Sequence, residues 1–576
     1  KPRVDKIPKE NKMKQHIRIL RKKFEKHKID GYVVPKNDDY FTEYSKTNRL
    51  KIVSNFTGSA GIAVILKKKN YLFTDGRYTI QSQIESGKNF KIIDYEKIIN
   101  CKLFKNLTLG IDPKLFTYNQ INKYFKKNNK IRFIKKNLID EIRAQKINDK
   151  SPFYSLDKNI VGETSKSKIN KISKFIKKNK CDYLFISAPE NVAWILNIRG
   201  QDSPNSPIPN SRLIISKTKK IYLICNVEKA KKIIKNKVVK FHEIINLKDF
   251  PSKIIKLEGK KFIIDQKSCS IYFEDIIKSK FKISKREDPT YYLKAIKNKV
   301  EIKNMIDAHI IDGVALTRFI YWIKNIRKKK LTEFEAQKKL ENFRKLNKNY
   351  LYPSFDTIAG SGKNGAIVHY RAKKKGSKTI NKNDIFLCDS GGQYKYGTTD
   401  VTRTICFSKP NPQIKDIFTK VLKGHIAVVN TNLKKDNCGK KIDIRARKFL
   451  KKSNLDYSHG TGHGVGFFLN VHEGPQSISK LNKVFIREGM ILSNEPGYYK
   501  KDNFGIRIEN LIFVKKNNNN LFFENLTLAP IEKELINYKI LTSFEKNYLF
   551  KYHLEVYSKI SKYLNLKERK WLASFI

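Results

Sequence analysis

Two aspartates occupy unusual settings in the second half of the chain. Asp389 directly follows the apolar run Ile385–Cys388, and Asp400 comes eleven residues later, beyond a glycine-rich stretch. The glycines permit a hairpin, which would bring the two residues onto neighbouring strands. Because two carboxylates held together in an apolar setting repel each other strongly, this spacing predicts a cation between them.

The same arrangement recurs with glutamate. Glu495 ends a predicted strand, residues 490–494, and Glu509 lies fourteen residues further on, with two glycines between them. His463 lies between the two arrangements, in the glycine-rich run 459–466. Two Asp, two Glu and one His can hold two metal ions that share carboxylates, and these donors suit Mn²⁺, Co²⁺, Fe²⁺ or Zn²⁺. Each residue alone would be interpreted as an exposed carboxylate or a loop histidine, and it is their order that favours a metal site.

Two further motifs fit other chemistries less well. His459 and His463 form an His-x-x-x-His pair, but the glycines between them argue against the helix that a zinc-protease motif requires. Gly360–Gly365 matches the nucleotide-binding pattern G-x-G-x-x-G, yet the residues that follow, 366–370, predict a strand and not a helix. We interpret this stretch as a loop that brings His369 toward the same site.

The first part of the chain contains one pattern twice. A helix with apolar residues at helical spacing, a turn and three short apolar strands occur in residues 13–74 and again in residues 169–225. Asp30 and Asp182, which stand at equivalent turns, are 152 residues apart. The sequence therefore predicts two related α/β domains in tandem, and the proline-rich stretch Ser203–Pro209 is predicted to be a surface loop of the second.

The elements that must position the candidate ligands begin after Asp288. Apolar residues on one stripe from Leu293 to Val314 predict a long helix. A second helix is predicted after Thr332, whose hydroxyl forms a capping box with Glu335. The chain is then glycine-rich and strand-like to about residue 530, and a helical tail is predicted from about 531. The expected domains are residues 1–160, 161–288 and 289–576.

The chain carries a large positive charge. Lys and Arg number 120 against 54 Asp and Glu, which gives a formal net charge of +66. A polyanion binder would use such a charge, but Lys, Asn and Ile are in excess along the whole chain. We interpret the excess as a drift in composition that leaves a solvated basic surface, and we expect no specific nucleic-acid partner.

Neither export nor a membrane is indicated. The longest apolar runs have the length of strands, and no apolar segment follows the basic first residues. The seven cysteines include no C-x-x-C pair, so they predict neither a disulfide framework nor a zinc ribbon. A reducing cytoplasm is the expected location.

Several long runs resemble aminopeptidase P (Xaa-Pro aminopeptidase), a family of pita-bread metallopeptidases. Stretches in the first part of the chain are similar to the large three-domain cytosolic form of that family, so the likeness covers essentially the whole chain. The runs that carry the resemblance are Asp389–Thr404, His459–Gly466, Asn470–Pro475, Glu495–Tyr499 and Gly505–Asn510, together with Phe56–Gly61, Thr74–Tyr78 and Trp194–Gly200.

The resemblance implies an α/β protein in which two tandem creatinase-like domains precede an α+β pita-bread catalytic domain with a helical C-terminal tail. It implies two divalent metal ions, with Mn²⁺ the first expectation and Co²⁺, Zn²⁺ or Fe²⁺ the alternatives, and it implies that Asp400 and Glu509 bridge them. The implied metal ligands are Asp389, Asp400, His463, Glu495 and Glu509.

The resemblance also implies roles for four residues in the reaction. Glu495 would act as general base and then as general acid, in addition to binding metal. His369 and His472 would contact the substrate carbonyl and stabilise the tetrahedral intermediate, whereas His459 would line the pocket for the proline ring. The expected nucleophile is a hydroxide that bridges the two metal ions.

The expected function is the release of the first residue from short peptides with proline at the second position, by a homodimer. The alternatives are an Xaa-Pro dipeptidase or a methionine-type aminopeptidase on the same fold, and a non-enzymatic pita-bread interaction module or polyanion binder. Because all five expected ligands are present, the non-catalytic alternatives are disfavoured.

The sequence departs from the family pattern at three places. Asn494 stands where the family usually has Asp before Glu-Pro-Gly-Tyr, and Arg371 stands where a small residue and Pro usually follow His-Tyr. The loop 202–210 is also unusual, which concerns the substrate subsites more than the chemistry.

Overall fold

The structure is a computed structural model that describes residues 9–99, 101–145, 150–327 and 330–576. These residues form two compact units. Unit 1 contains the described residues of Lys1–Asp157, Glu163–Pro204 and Ile208–Thr290, and unit 2 contains Lys158–Gly162, Asn205–Pro207 and the described residues of Tyr291–Ile576. No helix in the described ranges combines the length and the apolar character that crossing a bilayer requires.

Unit 1 begins with a six-stranded sheet in the order β4-β3-β2-β1-β5-β6. Its central strand is apolar and buried at all five positions, as expected for a strand covered on both faces. The strands are β1 (Gly31–Pro35), β2 (Ile62–Leu66), β3 (Asn70–Thr74), β4 (Lys91–Asp94), β5 (Thr108–Ile111) and β6 (Lys130–Phe133). The helices are α1 (Lys9–Lys22), α2 (Arg49–Ser54), α3 (Thr79–Ser86), α4 (Tyr118–Ile121) and α5 (Leu138–Ile142).

A second six-stranded sheet follows, in the order β12-β11-β10-β8-β13-β14. The strands of this region are β7 (Tyr154–Ser155), β8 (Tyr183–Ile186), β9 (Ile198–Arg199), β10 (Arg212–Ser216), β11 (Ile221–Ile224), β12 (Ile244–Ile245), β13 (Lys261–Ile264) and β14 (Lys282–Lys285). Its helices are α7 (Ser165–Lys178), α8 (Pro189–Leu196), α9 (Val227–Lys235), α10 (Phe250–Lys256) and α11 (Ile271–Lys278). Helix α6 (Lys158–Val161), which precedes them in the chain, belongs to unit 2.

The two sheets share one topology. Counted within each sheet, the strands run fourth, third, second, first, fifth and sixth, and in both sheets the first strand pairs antiparallel with the second and parallel with the fifth. This shared order confirms the prediction of two related α/β domains in tandem. The boundary near residue 160 stays a prediction.

The prediction of a surface loop at Ser203–Pro209 is wrong. Most of this stretch is buried, and Asn205–Pro207 belongs to unit 2. The Asn205 side chain donates to the Pro353 carbonyl over 3.0 Å, and Gln393 donates to the Asn205 carbonyl over 3.2 Å. Because proline has no N–H, a proline-rich stretch can be buried with few unpaired donors, and its polar groups are satisfied here by side-chain amides.

Unit 2 combines long helices with four small sheets. The helices are α12 (Thr290–Ala295), α13 (Lys299–Asn325), α14 (Glu333–Lys345), α15 (Pro412–Val429), α16 (Gly439–Lys451), α17 (Ser543–Ile560) and α18 (Leu566–Ala573). The strands are β15 (Tyr350–Pro353), β16 (Ile358–Ser361), β17 (Phe386–Ser390), β18 (Gly392–Tyr394), β19 (Gly397–Thr398), β20 (Val401–Ile405), β21 (Gly462–Gly464), β22 (Glu473–Ile478), β23 (Ile491–Asn494), β24 (Gly497–Lys500), β25 (Phe504–Arg507), β26 (Asn510–Asn517) and β27 (Asn520–Asn525). The sheets are β15-β18-β19, β16-β17-β20, β22-β21-β23-β26-β27 and β24-β25.

The helix predicted from Leu293 to Val314 is two helices, α12 and α13. The Asn298 side chain accepts hydrogen bonds from the backbone of Val300 and Glu301 and forms a capping box with Glu301, which starts a new helix at residue 299. Ile296, predicted to lie on the apolar stripe, is exposed in the break.

The strand predicted at 366–370 is not formed. A 3₁₀ turn covers Gly362–Ala366, and an irregular segment follows it. The buried Glu333 carboxylate accepts hydrogen bonds from the Asn364 amide over 3.0 Å and from the Tyr370 hydroxyl over 2.6 Å. The contacts that hold this segment are therefore made by a side chain and not by a partner strand.

Two other predictions for unit 2 are confirmed. Thr332 caps α14 in a capping box with Glu335. The C-terminal tail is helical, although its first α-helix begins at residue 543, later than predicted. Helices α15 and α17 and strand β25 share one apolar core through Val421, Val556 and Ile506, all fully buried. This core supports the strands that carry the candidate ligands.

Candidate metal centre

The first pair of carboxylates lies on two neighbouring strands, as predicted. Asp389 in β17 stands opposite Thr402 in β20, and Asp400 immediately precedes β20. Between them the chain turns back through β18 and β19. A Cβ at Gly391 would lie 2.0 Å from the Thr399 carbonyl oxygen, so this return requires glycine.

The second pair of carboxylates, Glu495 and Glu509, is brought together in the same way. Strands β23 and β26 pair antiparallel, with Asn494 opposite Asn510, and the hairpin of β24 and β25 lies between them. Glu495 therefore follows one strand and Glu509 precedes its partner. The backbone N–H of Glu509 donates to the Thr402 carbonyl over 3.1 Å, which joins the two pairs.

His463 faces both pairs from β21. Its backbone N–H donates to the Ser493 hydroxyl over 2.9 Å, and its Nδ1 is bonded to the Gly464 carbonyl over 2.8 Å. The other ring nitrogen, Nε2, therefore faces carboxylates and lies 3.3 Å from Asp400 Oδ2 and 3.3 Å from Glu495 Oε1.

All five expected ligands thus come together in overlapping groups. Potential ligand atoms of Asp389, Asp400 and Glu509 lie within 4.8 Å of one another, and those of His463, Glu495 and Glu509 do so as well. The three residues of the first group are only 7%, 4% and 1% exposed. Glu509 belongs to both groups, as a residue that bridges two ions must.

The electrostatics of the cluster are those of a cation site. Burial raises the pKa of Asp389 to about 7 although Arg507 opposes this rise, and the nearby Asp400 adds to it. The pKa values of Glu495 and Glu509 are also raised, again chiefly by burial. A bound cation would favour the ionised carboxylates and remove their mutual repulsion.

Two atoms, Asp389 Oδ1 and His463 Nε2, are placed to bind a metal ion. Asp389 Oδ1 is buried without a hydrogen-bond partner among the described residues, so its lone pairs are available to an ion. Burial acts to lower the pKa of His463, but hydrogen bonding to Asp400 and the charge of Glu495 raise it to about 9. A metal ion would take the place of the proton that this ring otherwise holds between two carboxylates.

Three further residues, for which the sequence predicts no role, form hydrogen bonds within the site: Arg507, Tyr499 and Thr402. Arg507 donates to Asp389 Oδ2 over 2.7 Å and to the Tyr499 hydroxyl over 2.7 Å. The Thr402 hydroxyl donates to Glu509 Oε2 over 2.7 Å. Arg507 could have been found, because it lies two residues before Glu509 and alternate residues of an extended chain share a face.

The three other histidines that were predicted to take part in the reaction differ in their contacts with the cluster. The His472 ring centroid is 4.3 Å from that of His463, and the two rings group with Asp400 within 4.8 Å. His459 Nε2 is hydrogen-bonded to the Tyr499 hydroxyl over 2.7 Å. His369 lies in the irregular segment after the 3₁₀ turn, outside the groups of possible metal ligands that the described residues form.

Comparison with protein families assigns the whole architecture. Residues 303–516 match metallopeptidase family M24, and residues 519–574 match the C-terminal region of that family. Residues 17–145 and 144–301 each match the creatinase/prolidase N-terminal domain. Two family models with the same description therefore match the regions of the two six-stranded sheets.

Individual proteins match over nearly their full length. A probable Xaa-Pro aminopeptidase P of Laccaria bicolor is 35% identical, over 97% of this chain and 92% of that protein. Xaa-Pro aminopeptidase 1 of Dictyostelium discoideum is 36% identical, over 97% and 96%. The crystal structure of X-prolyl aminopeptidase from Caenorhabditis elegans, described as a cytosolic enzyme with a di-nuclear active site, superposes with a TM-score of 0.90 at 29% identity, over 98% of this chain and 99% of that one.

Proposed function

The chain belongs to the Xaa-Pro aminopeptidase family of the M24 metallopeptidases, and we propose that it hydrolyses the bond between the first residue of a peptide and a proline at the second position. The observation that carries the proposal is the convergence of two Asp, two Glu and one His, which lie in or beside five different strands, on one cluster. Full-length similarity to aminopeptidases favours this function over the dipeptidase alternative.

We propose that Asp389, Asp400, His463, Glu495 and Glu509 hold two divalent ions. The donor set contains more carboxylate oxygen than nitrogen, which suits Mn²⁺, with Co²⁺, Zn²⁺ or Fe²⁺ as the other ions it accepts. When bound, such ions would supply Lewis acidity and a nucleophilic water near neutral pH.

Proton transfer and stabilisation of the oxyanion would be carried out by side chains of the protein. Burial raises the pKa of Glu495, which moves its carboxyl toward the range in which a base both accepts a proton and returns it to the leaving proline nitrogen. Ser493 donates to Glu495 Oε1 over 2.9 Å and so holds the carboxylate in place. Donors from His472 and His369 would stabilise the oxyanion that develops at the carbonyl.

A dedicated site of this kind suits the substrate. A peptide bond to proline lacks an N–H and has a restricted conformation, so the enzyme must orient it without the usual backbone donor. We propose that His459, bonded to Tyr499, forms part of the wall against the proline ring. The tilted packing of the His459 ring on Tyr457, at 4.9 Å between centroids, gives this wall an apolar component.

The proposal is tested with three peptides. Purified protein loaded with Mn²⁺ is expected to release Arg from Arg-Pro-Pro and from longer peptides that begin Arg-Pro, and to lose this activity with chelator. Cleavage of the dipeptide Arg-Pro alone would indicate a dipeptidase, and release of Met from Met-Ala-Ser a methionine-type aminopeptidase. Activity that persists in metal-free protein would contradict the proposed chemistry.

We further propose a homodimer in the cytoplasm. The family resemblance supports the dimer, and the description of the Caenorhabditis elegans enzyme as cytosolic supports the location. Light scattering is expected to give about twice the chain mass of 67.3 kDa at micromolar concentration. A mass equal to that of one chain would exclude the dimer.

A further inference from the structure

A buried ion triad lies directly beside His472. Lys294 Nζ is 2.8 Å from Glu473 Oε2, and Lys297 Nζ is 2.5 Å from Glu473 Oε1. The three side chains are 3%, 0% and 1% exposed in the order Lys294, Lys297, Glu473. Each oxygen of the Glu473 carboxylate is therefore paired with its own ammonium group, and these two ion pairs fix the orientation of the carboxylate.

Stability alone does not account for the triad. Three charges have been taken out of water, and the two cations face one anion. A buried ion pair is often no more stabilising than apolar residues of the same volume, because the desolvation of the charges offsets their attraction. The buried triad is better explained by the positions of the neighbouring residues that its geometry fixes.

The triad contacts both histidine-bearing segments of the site. Glu473 stands opposite Gly464 in the pairing of β22 with β21, next to His463. A Cβ at Gly466 would lie 3.0 Å from Glu473 Oε2, so the carboxylate packs against the same glycine-rich run. Because His472 is the residue directly before Glu473, a fixed Glu473 also fixes the backbone from which the His472 ring projects.

Lys297 is in turn anchored to the turn that precedes β23. The backbone N–H of Lys297 donates to the Gly489 carbonyl over 3.0 Å. Gly489 has φ +85°, and a Cβ there would lie 2.4 Å from the Lys297 carbonyl oxygen, so the close approach requires glycine. This turn leads within two residues into β23, at whose end Glu495 stands.

We propose that Glu473 is a positioning residue, which Lys294 and Lys297 hold so that His472 faces the metal cluster in a fixed orientation. The inference deepens the proposed function and rests on it in one respect, since it takes His472 to act on the substrate. It assigns a role in the reaction to Lys294 in the last turn of α12 and to Lys297 in the short segment between α12 and α13, neither of which contributes a ligand to the cluster.

The decisive variant removes all three charges at once. The triple variant Lys294→Met/Lys297→Met/Glu473→Leu removes the three charges of the triad together, so we expect it to fold with an unfolding midpoint close to that of the wild type. Its kcat on Arg-Pro-Pro is expected to fall at least ~10-fold with KM nearly unchanged, because a displaced catalytic group affects the transition state more than substrate binding. Mn²⁺ affinity, measured by electron paramagnetic resonance titration, should fall by less than kcat does, since none of the five proposed ligands is replaced.

A mutant cycle separates positioning from a general loss of structure. In a His472→Ala background the triple substitution should lower kcat no further, because the two changes act through one group. Lys423→Met is the matched control, since it breaks a largely buried pair with Glu545, 2.7 Å long, that joins α15 to α17 away from the cluster. This control should keep the kcat of the wild type.

The proposal is overturned if the triple variant turns over like wild type, or if its loss adds in full to that of His472→Ala. If the triple variant does not fold, the single variant Glu473→Gln undergoes the same cycle with the same expectations. If the wild type does not hydrolyse Arg-Pro-Pro, the proposed function fails, and hydrogen exchange still tests the positioning. Exchange in residues 470–474 should then be faster in the variant than in wild type, and unchanged exchange would contradict the proposal.

Discussion

Two buried ionic clusters in unit 2 have opposite charge balances. In the candidate metal centre, four carboxylates face one guanidinium, that of Arg507, and two imidazoles, those of His463 and His472. In the triad, one carboxylate faces two ammonium groups. The pKa of Asp389 in the first cluster is raised by burial, whereas the pKa of Glu473 is lowered, since its two lysines overcome the effect of burial. The difference indicates that Glu473 is ionised and paired by its lysines, whereas the carboxylates of the candidate metal centre would be stabilised by bound cations.

The largest expected effect is at the candidate metal centre. Glu495→Gln would remove the charge of a proposed ligand and the proposed proton carrier together, so we expect kcat on Arg-Pro-Pro to fall by at least ~10³. Steady-state kinetics at saturating Mn²⁺ provide the measurement. Near wild-type turnover would move the role of general base to another residue.

A smaller effect is expected at the metal-free cluster when pH changes. Asp389 has a pKa raised from 3.8 to about 7, so the stability it contributes is complete below pH 3.8 and is lost as pH rises through about 7. His463, raised from 6.5 to about 9, acts in the same direction at higher pH. The unfolding midpoint of chelated protein should therefore fall between about pH 5 and pH 8, by roughly 2–4 °C per kcal/mol lost.

The variant Asp389→Asn provides the comparison for this pH dependence. It cannot ionise at position 389, so its midpoint should vary less over the same range than that of the wild type. Added Mn²⁺ should stabilise the wild type most at the alkaline end, where the carboxylates are ionised. Parallel pH profiles for the two proteins would show that Asp389 does not carry the repulsion.

The smallest effect is expected from the exposed charges. If the net charge of +66 is a solvated surface, hydrolysis of short neutral peptides should change by less than about 2-fold between low salt and 0.3 M, because salt screens exposed charges and leaves buried clusters nearly unaffected. Duplex DNA should bind weakly and without sequence preference. Submicromolar affinity for DNA at physiological salt would favour a polyanion-binding role.

Local patterns in the sequence predicted the tandem sheets and the cluster of carboxylates. Glycine-rich returns placed Asp389 and Asp400, and then Glu495 and Glu509, at the ends of paired strands, and the structure has these pairings. Such features depend on residues that are close in sequence, for which spacing and turn chemistry are sufficient.

The remaining features depend on distant partners. Glu473 is 179 and 176 residues from the lysines that hold it, and no local pattern connects them. The apolar residues of segment 366–370 predict a strand, but the Tyr370 N–H donates to the Ile367 carbonyl within a turn, and the Tyr370 hydroxyl donates to the distant Glu333 carboxylate. Burial of the proline-rich stretch likewise depends on Gln393, far along the chain. Tertiary contacts of this kind override local propensity.

We propose that Asp389, Asp400, His463, Glu495 and Glu509 hold two metal ions. Anomalous diffraction at the manganese edge, from crystals grown with Mn²⁺, tests this most directly. We expect two peaks about 3.5–4 Å apart among these five residues, with Asp400 and Glu509 adjoining both. A single peak, or manganese bound elsewhere while this cluster stays empty, would contradict it.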